Sequence, residues 1–310
     1  MPRRRPIIGL ALGGGGARAG VHVGVLKAFE AQKIPIDIIA GTSAGALIGG
    51  MYAAKRSADF IEKKILEYTE SDLLKRTKFN FLTQVHEKEK NDLNVWEKLA
   101  GFIKKEYFLA MSLTKQSIIS SQDFMENIAF FIEEVNIENL KLPFAALTTD
   151  LEKGEEVVLQ KGPLKEAVYA SSAIPGMVPP LQLEDKFLFE GGIVNMIPVS
   201  VVKDMGAELI IAVDISKLVT RQVAIKNCLD AVVRANAIMS WKLNQLRLRF
   251  ADVVISSSNL DIYWADFTKT KELIKLGEQG ASIRMDEIKK KMELPLKRRL
   301  LSLTKIFQKG

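Results

Sequence analysis

The chain has 310 residues, of which 47% are hydrophobic, and a formal net charge of +7. This length can bury a substantial core, either as one large α/β domain or as a domain with an appendage. The single cysteine, Cys228, excludes an intrachain disulfide, and the helical pattern around it at 223–246 predicts a buried thiol in a reducing compartment. No stretch reaches the roughly 18 uncharged apolar residues of a membrane-spanning helix.

Two strand-to-helix corners are predicted near the start of the chain. An apolar run at 7–12 predicts a strand and leads through four glycines into a helical pattern at 17–33. A second strand at 36–40 is followed by a helix at 44–54. If both strands belong to one parallel sheet, their carboxyl ends open at the same edge, where ligands bind in open α/β folds. Three arginines before the first run resemble a signal peptide, but we expect that run to be the first strand.

Ser43 is the candidate nucleophile at the second corner. It lies between Gly41 and Gly45 in the G-x-S-x-G spacing of a nucleophile elbow. The glycines permit a sharp bend, and the following helix start directs free N–H groups and partial positive charge toward the serine. The same pattern also fits a serine that only caps a helix, so this motif does not decide the function alone.

The glycine run at 13–16 has two interpretations. Its unobstructed N–H groups suit an oxyanion hole, which needs fixed donors about 3 Å from the oxygen that gains charge. Gly14, Gly16 and Ala19 also fit a permissive dinucleotide-binding fingerprint, but Asp37 lies at the wrong end of the second strand to hold a ribose. No Gly-Lys-Ser or Gly-Lys-Thr follows. We favour the oxyanion hole and keep nucleotide binding as an alternative that calorimetry can test.

A serine nucleophile needs a base, and the chain offers few. Its two histidines, His22 and His86, have no motif around them. Glu190 instead ends an apolar run and precedes Gly191 and Gly192, which is an unusual position for a solvated charge. Either histidine could complete a triad, and Glu190 is the third candidate.

Four motifs together resemble the patatin-like phospholipases. They are the glycine loop with its arginine, the Gly-Thr-Ser-Ala-Gly elbow, the segment 170–179, and the acid-Gly-Gly-x-x-Asn-x-x-Pro motif that ends at Pro198. The resemblance covers about residues 6–215, including a late strand at 210–214. It implies a three-layer α/β/α fold with a central, mostly parallel sheet and a nucleophile elbow. We expect a hydrolase domain at 6–260 and a basic helical extension at 261–310.

The resemblance also implies a chemistry that needs no histidine, metal or organic cofactor. Ser43 would attack a lipid or related carboxylic ester, and Glu190 would accept its proton. The oxyanion hole would be lined by Gly14, Gly15, Gly16 and Ala17, with Arg18 ordering the loop. The implied cleft residues are Ser171, Ser172, Pro175 and Asn195.

Two departures from the family pattern bear on activity. Glu190 stands where the family has aspartate, and its extra methylene displaces the oxygens by about 1 Å, which can cost about a hundredfold in rate. The alternative function is therefore a weak or inactive homologue that binds lipid or a partner at the membrane. Ala19 stands where the family usually has glycine, and its methyl would cost about 1 kcal/mol if that position needed a positive φ.

The remaining segments suggest contact with a membrane surface. The charged, aromatic region 58–120 could be a helical lid or membrane-facing cap, or ordinary surface helices. Residues 296–307 form a basic amphipathic pattern that could lie on an anionic bilayer or be a docked terminal helix. Nucleic-acid binding is disfavoured because no reading motif or aromatic platform accompanies the charge. We expect a cytoplasmic protein, peripheral to the inner face of the membrane.

Overall fold

The computed structural model of the protein describes residues 4–76, 117–216, 225, 228–256 and 262–293. Three predictions fall outside these ranges wholly or in part. His86 and most of the 58–120 region lie within 77–116, and the basic pattern at 296–307 lies within 294–310.

An eight-stranded sheet forms the centre of the fold, in the order β5-β6-β3-β2-β1-β7-β8, with β4 paired to β3. The central run β3-β2-β1-β7-β8 is parallel, whereas β4, β5 and β6 pair antiparallel. This mixed but mostly parallel sheet confirms the predicted fold class. The strands are β1 Ile8–Leu12, β2 Ile38–Thr42, β3 Phe144–Asp150, β4 Glu155–Leu159, β5 Leu181–Leu183, β6 Lys186–Glu190, β7 Leu209–Asp214 and β8 Val253–Ser256.

Helices cover both faces of the sheet, because alternate side chains of a buried strand point to opposite sides. Ile8, Leu10 and Leu12 of β1 belong to one apolar cluster, and Ala11 belongs to the other. The fold therefore has three layers around two cores. The helices are α1 Gly20–Ala31, α2 Ala44–Lys55, α3 Ala58–Glu70, α4 Asp72–Arg76, α5 Ser121–Phe131, α6 Leu164–Ser172, α7 Val199–Asp204, α8 Cys228–Leu248 and α9 Thr270–Glu293.

The first predicted helix begins differently from the sequence pattern. A 3-10 turn, Gly16–Ala19, precedes α1 because Gly16 adopts a φ of +59° and closes the glycine loop. Ala19 has an ordinary helical φ of −51°. Its methyl group therefore causes no backbone strain, and this departure from the family pattern is harmless.

Cys228 is exposed, so the prediction of a buried thiol was wrong. It is the first residue of α8, whose N-terminal turns face solvent although the helical pattern itself was predicted. Amphipathic spacing identifies a helix, but it does not establish that the apolar face is covered.

Helix α9, which lies inside the predicted extension 261–310, packs directly against α1. A Cβ at Gly24 would lie 1.9 Å from the Ile274 carbonyl oxygen, and a Cβ at Gly277 would lie 2.1 Å from that of Val21. The two helix backbones are therefore in contact. Helix α3, the first part of the predicted lid, also packs against α1, and its Ala58 N–H donates to Glu30.

Within the described residues, none of the helices combines the length and the apolar character that crossing a bilayer would require.

Candidate active site

Ser43 occupies a strained corner between β2 and α2. Its φ of +54° and ψ of −121° are uncommon for a residue with a side chain. The carbonyl of Ser43 accepts the N–H groups of Ala46 and Leu47, which begins the helix immediately after the turn. A Cβ at Gly41 would lie 2.3 Å from the Gly45 oxygen, and one at Gly45 would lie 2.1 Å from the Leu12 oxygen. Both glycines are thus required for the bend.

The backbone of this corner is held by Ser171, at the end of α6. The Ser171 hydroxyl accepts the N–H of Ser43 at 2.9 Å and donates to the Leu147 carbonyl at 2.6 Å. All three groups lie in the buried interior. Ser171 therefore joins the nucleophile turn to strand β3.

Glu190 ends β6 beside Ser43. Its N–H donates to the Ala173 carbonyl at 2.9 Å, and its own carbonyl accepts the Thr149 hydroxyl at 2.9 Å. The Ser43 hydroxyl lies near enough to the carboxylate to influence its pKa. Burial raises the pKa of Glu190 to about 7, and the hydrogen bond with Ser43 acts in the opposite direction. A carboxylate with this pKa suits proton transfer near neutral pH.

The glycines after Glu190 make room for the turn that follows β6. A Cβ at Gly191 would lie 2.3 Å from the Leu147 carbonyl oxygen. A Cβ at Gly192 would lie 3.3 Å from a carboxylate oxygen of Glu190 and 2.6 Å from the methyl of Met196. Side chains at these positions would displace the carboxylate or strand β3.

Asn195 connects the acid turn to the nucleophile strand. Its N–H donates to the Gly191 carbonyl, and its own carbonyl accepts the Thr42 hydroxyl at 3.0 Å. Its side-chain amide donates to Glu156 at 2.9 Å. Asn195 therefore fixes the spacing between the residue before Ser43 and the turn after Glu190.

The glycine loop presents fewer free amides than the sequence implied. The N–H of Gly14 donates to the Met196 carbonyl at 3.1 Å, and that of Ala17 donates to the Trp264 carbonyl at 2.7 Å. The N–H groups of Gly15 and Gly16 have no acceptor among the residues that the structure describes. These two amides are therefore free to donate to a further acceptor.

Arg18 makes two hydrogen bonds within the glycine loop. Its N–H and its Nε both donate to the Gly15 carbonyl, at 3.3 and 3.1 Å. Burial lowers the pKa of this guanidinium, and the nearby Asp214 partly offsets that effect. Arg18 thus fixes the orientation of the Gly15 carbonyl within the loop.

His22 is one of the two histidines that the sequence offers as a triad base. It is fully buried in α1, and its Nε2–H donates to the Gly13 carbonyl at 2.7 Å. Burial lowers the pKa of His22 to about 4, so the ring is neutral near pH 7. No contact joins His22 to Ser43 in the described residues, and its bond to Gly13 places it behind the glycine loop.

The four expected cleft residues occupy different depths. Ser171 and Asn195 are fully buried beneath the site, Ser172 is half-buried, and Pro175 is exposed. The first two therefore support the site from behind. Over the described residues, no group of three histidine, cysteine or acidic side chains could hold a metal ion.

The chain is similar in sequence to several known proteins. The family model of patatin-like phospholipase matches residues 10–203. A patatin-like phospholipase domain-containing protein of Caenorhabditis elegans is 32% identical over 68% of this chain and 14% of its own length. An uncharacterized NTE family protein of Mycobacterium tuberculosis is 31% identical over 68% of this chain and 49% of its own length. Patatin-like phospholipase domain-containing protein 6 of Homo sapiens is 32% identical over 67% of this chain and 13% of its own length.

The chain thus spans at most about half the length of these relatives. The matched segment contains the glycine loop, the nucleophile corner, Ser171 and the acid turn. From the extent of this match and the identities above, the chain belongs to the patatin-like phospholipase family.

Proposed function

We propose that the protein hydrolyses carboxylic esters of lipids, as a phospholipase A, lysophospholipase or esterase, through a dyad of Ser43 and Glu190. The observation that carries the proposal is that the Ser43 hydroxyl acts on a carboxylate whose pKa burial raises to about 7. The family's name supports a lipid substrate. The strained backbone of Ser43 also supports a nucleophile, because such conformations are concentrated at functional sites.

In the first half of the reaction, Glu190 takes the hydroxyl proton as Ser43 Oγ bonds to the ester carbonyl carbon. The carbonyl oxygen then carries negative charge, which the N–H groups of Gly15 and Gly16 stabilise. When the C–O bond of the leaving alcohol breaks, Glu190 returns the proton to the alcohol oxygen. The acyl group remains bound to Ser43.

In the second half, water attacks the acyl carbon and Glu190 accepts its proton. The same amides stabilise the oxyanion. The bond to Ser43 Oγ then breaks, the proton returns to Ser43, and a carboxylic acid leaves. Every proton thus moves between Glu190, Ser43, water and the leaving alcohol.

The proposal includes peripheral contact with an anionic membrane surface on its cytoplasmic side. A lipid ester is presented at such a surface, and the net charge of +7 favours approach to anionic lipids.

Hydrolysis of short- and medium-chain p-nitrophenyl esters by the purified full chain tests the dyad. Ser43→Ala and Glu190→Gln should abolish turnover, and mass spectrometry should detect an acylated peptide containing Ser43. Matched controls are Ser282→Ala and Glu184→Gln, which change exposed residues outside the site. Turnover that survives Ser43→Ala would contradict the proposal.

The alternative is a catalytically weak homologue that keeps the cleft for binding. Glu190 in place of the family's aspartate is the feature that favours it. It predicts that the natural protein is inert and that Glu190→Asp gains turnover. The dyad proposal predicts the opposite, because Glu190 already reaches Ser43.

A further inference from the structure

Helix α8 exposes an apolar stripe that the catalytic site does not use. The stripe consists of Val232, Met239, Leu243 and Leu246, which are 57%, 61%, 38% and 52% exposed. Their separations of seven, four and three residues place them on one helical face. Exposed apolar surface arranged in this way marks an interaction site more often than isolated apolar residues do.

The C-terminal turns of α8 attach it to the domain, whereas its N-terminal turns project. Asn244 is buried, and Leu248 packs on the core beneath α7. No described side chain between residues 228 and 243 is buried. The apolar side chains of the stripe are therefore exposed, while the end of the helix packs on the domain.

The connectivity places these projecting turns on the side of the catalytic site. Helix α8 lies between β7 and β8, which are parallel, so it runs back from the carboxyl edge of the sheet. Its 21 residues span about 31 Å, whereas the six residues of β7 span about 20 Å. Ser43 lies at that same carboxyl edge, because it directly follows β2.

A second link joins the base of α8 to the acid turn. The carboxylate of Glu156 attracts the guanidinium of Arg247 on α8 and accepts a hydrogen bond from Asn195. Asn195 in turn contacts both Thr42 and Gly191. The base of the helix therefore lies near residues that support the turns of Ser43 and Glu190.

The charge of this segment is complementary to an anionic surface. Residues 228–250 contain four cations and one acid, Asp230. Lys242 and Arg249 are exposed. Two copies of the helix would bring like charges together, whereas an anionic lipid surface would neutralise them.

We propose that α8 docks on an anionic lipid surface, with its apolar stripe inserted at the headgroup boundary and its cations among the headgroups. An exposed helix that carries an apolar stripe and flanking cations is suited to lie in the interface plane. This inference rests on the proposed function, because docking would bring the carboxyl edge of the sheet toward the lipid ester.

Co-sedimentation of the full chain with vesicles tests the docking. Vesicles of phosphatidylglycerol with phosphatidylcholine should retain the protein, and vesicles of phosphatidylcholine alone should retain less. Val232→Ser with Met239→Ser should lower the partition coefficient at least about tenfold. The matched control, Ile283→Ser with Leu183→Ser, removes two exposed apolar side chains elsewhere and should bind normally.

A second pair of variants tests the charge. Lys242→Glu with Arg249→Glu should abolish the preference for anionic vesicles. Lys271→Glu with Lys275→Glu makes the same change in net charge on exposed positions of α9 and should reduce binding less. Equal losses in the two pairs would overturn the assignment to α8.

Further readouts separate the failure of this inference from failure of the proposed function. Thermal melting establishes that each variant is folded, and the ratio of vesicle-borne to soluble ester turnover should fall in the stripe variant. If the protein turns over soluble ester but the stripe substitutions leave vesicle binding unchanged, only the docking of α8 is overturned. If light scattering shows a dimer that the stripe substitutions dissociate, the partner of the stripe is a second copy of this chain and the lipid proposal is overturned. If the protein binds vesicles through the stripe but shows no ester turnover that depends on Ser43, only the proposed hydrolase function is overturned.

Discussion

The hydroxyl of Ser171 accepts the backbone N–H of Ser43 at 2.9 Å, so a residue far along the chain fixes the conformation of the candidate nucleophile. The same hydroxyl donates to Leu147, which leaves Ser171 no freedom to turn toward a substrate. Its contribution is to hold the strained φ of Ser43 in place.

Ser171→Ala should therefore lower kcat and stability together. The substitution leaves a buried N–H and a buried carbonyl without partners, at a cost of about 1–3 kcal/mol for each unsatisfied group. We expect kcat to fall by about tenfold to a hundredfold, because the nucleophile is misplaced. Ester kinetics and urea unfolding measure the two effects, and Ser282→Ala is the exposed control. A variant with unchanged kcat would remove Ser171 from the account of the site.

The rate should depend on pH through Glu190. In the proposed mechanism its ionised form accepts the proton of Ser43, and its pKa is raised to about 7. The value of kcat/KM should rise about tenfold per pH unit below that pKa and become constant above it. A pH–rate profile with p-nitrophenyl acetate measures this, corrected for spontaneous hydrolysis. A profile that stays flat from pH 5 to about 8 would be incompatible with Glu190 as the base.

Shortening the acid should reduce activity. The backbone of Glu190 is fixed by Ala173 and Thr149, so Glu190→Asp withdraws the carboxylate by about 1 Å and weakens its bond to Ser43. We expect a loss of about a hundredfold in kcat. Steady-state kinetics of the two proteins give the ratio, and Glu184→Asp provides a control on the same hairpin. Higher activity in Glu190→Asp would support the alternative of a detuned homologue.

His22 should make stability depend on acid pH. Its folded pKa of about 4 lies below its ordinary value of 6.5. The unfolded chain therefore binds a proton first, and the contribution of neutral His22 is complete above pH 6.5 and lost as the pH falls toward 4. The slope is about 1.4 kcal/mol per pH unit within this window.

Denaturant unfolding of the natural protein and of His22→Gln across this pH range isolates the effect. Glu190 contributes a slope of opposite sign, because its folded pKa is raised, but both proteins carry that residue. The difference between their free energies of unfolding should therefore shrink as the pH falls. A difference that is constant with pH would mean that His22 has the same pKa in the folded and unfolded states.

The sequence was sufficient for much of the fold because the apolar runs and glycine corners are local patterns. Strand β2 nevertheless extends to Thr42, beyond the predicted limit at residue 40, since pairing with β3 continues its ladder. The exposure of Cys228 could not be predicted, because burial depends on which neighbours cover a helix face. The donation of the Gly14 and Ala17 amides to Met196 and Trp264 is likewise a tertiary effect.

The contact between Gly24 and Gly277 also means that α1 and α9 can pack together only after nearly all of the chain has been synthesised. About 250 positions separate the two glycines, so α1 is synthesised long before the helix that completes its packing. Contacts of such sequence separation form late, because the intervening chain must first be ordered. Helix α1 carries His22, which holds the glycine loop. The proposed oxyanion donors, the N–H groups of Gly15 and Gly16, can therefore reach their final geometry only after α9 has been made, so an unfinished chain holds Ser43 without a completed site.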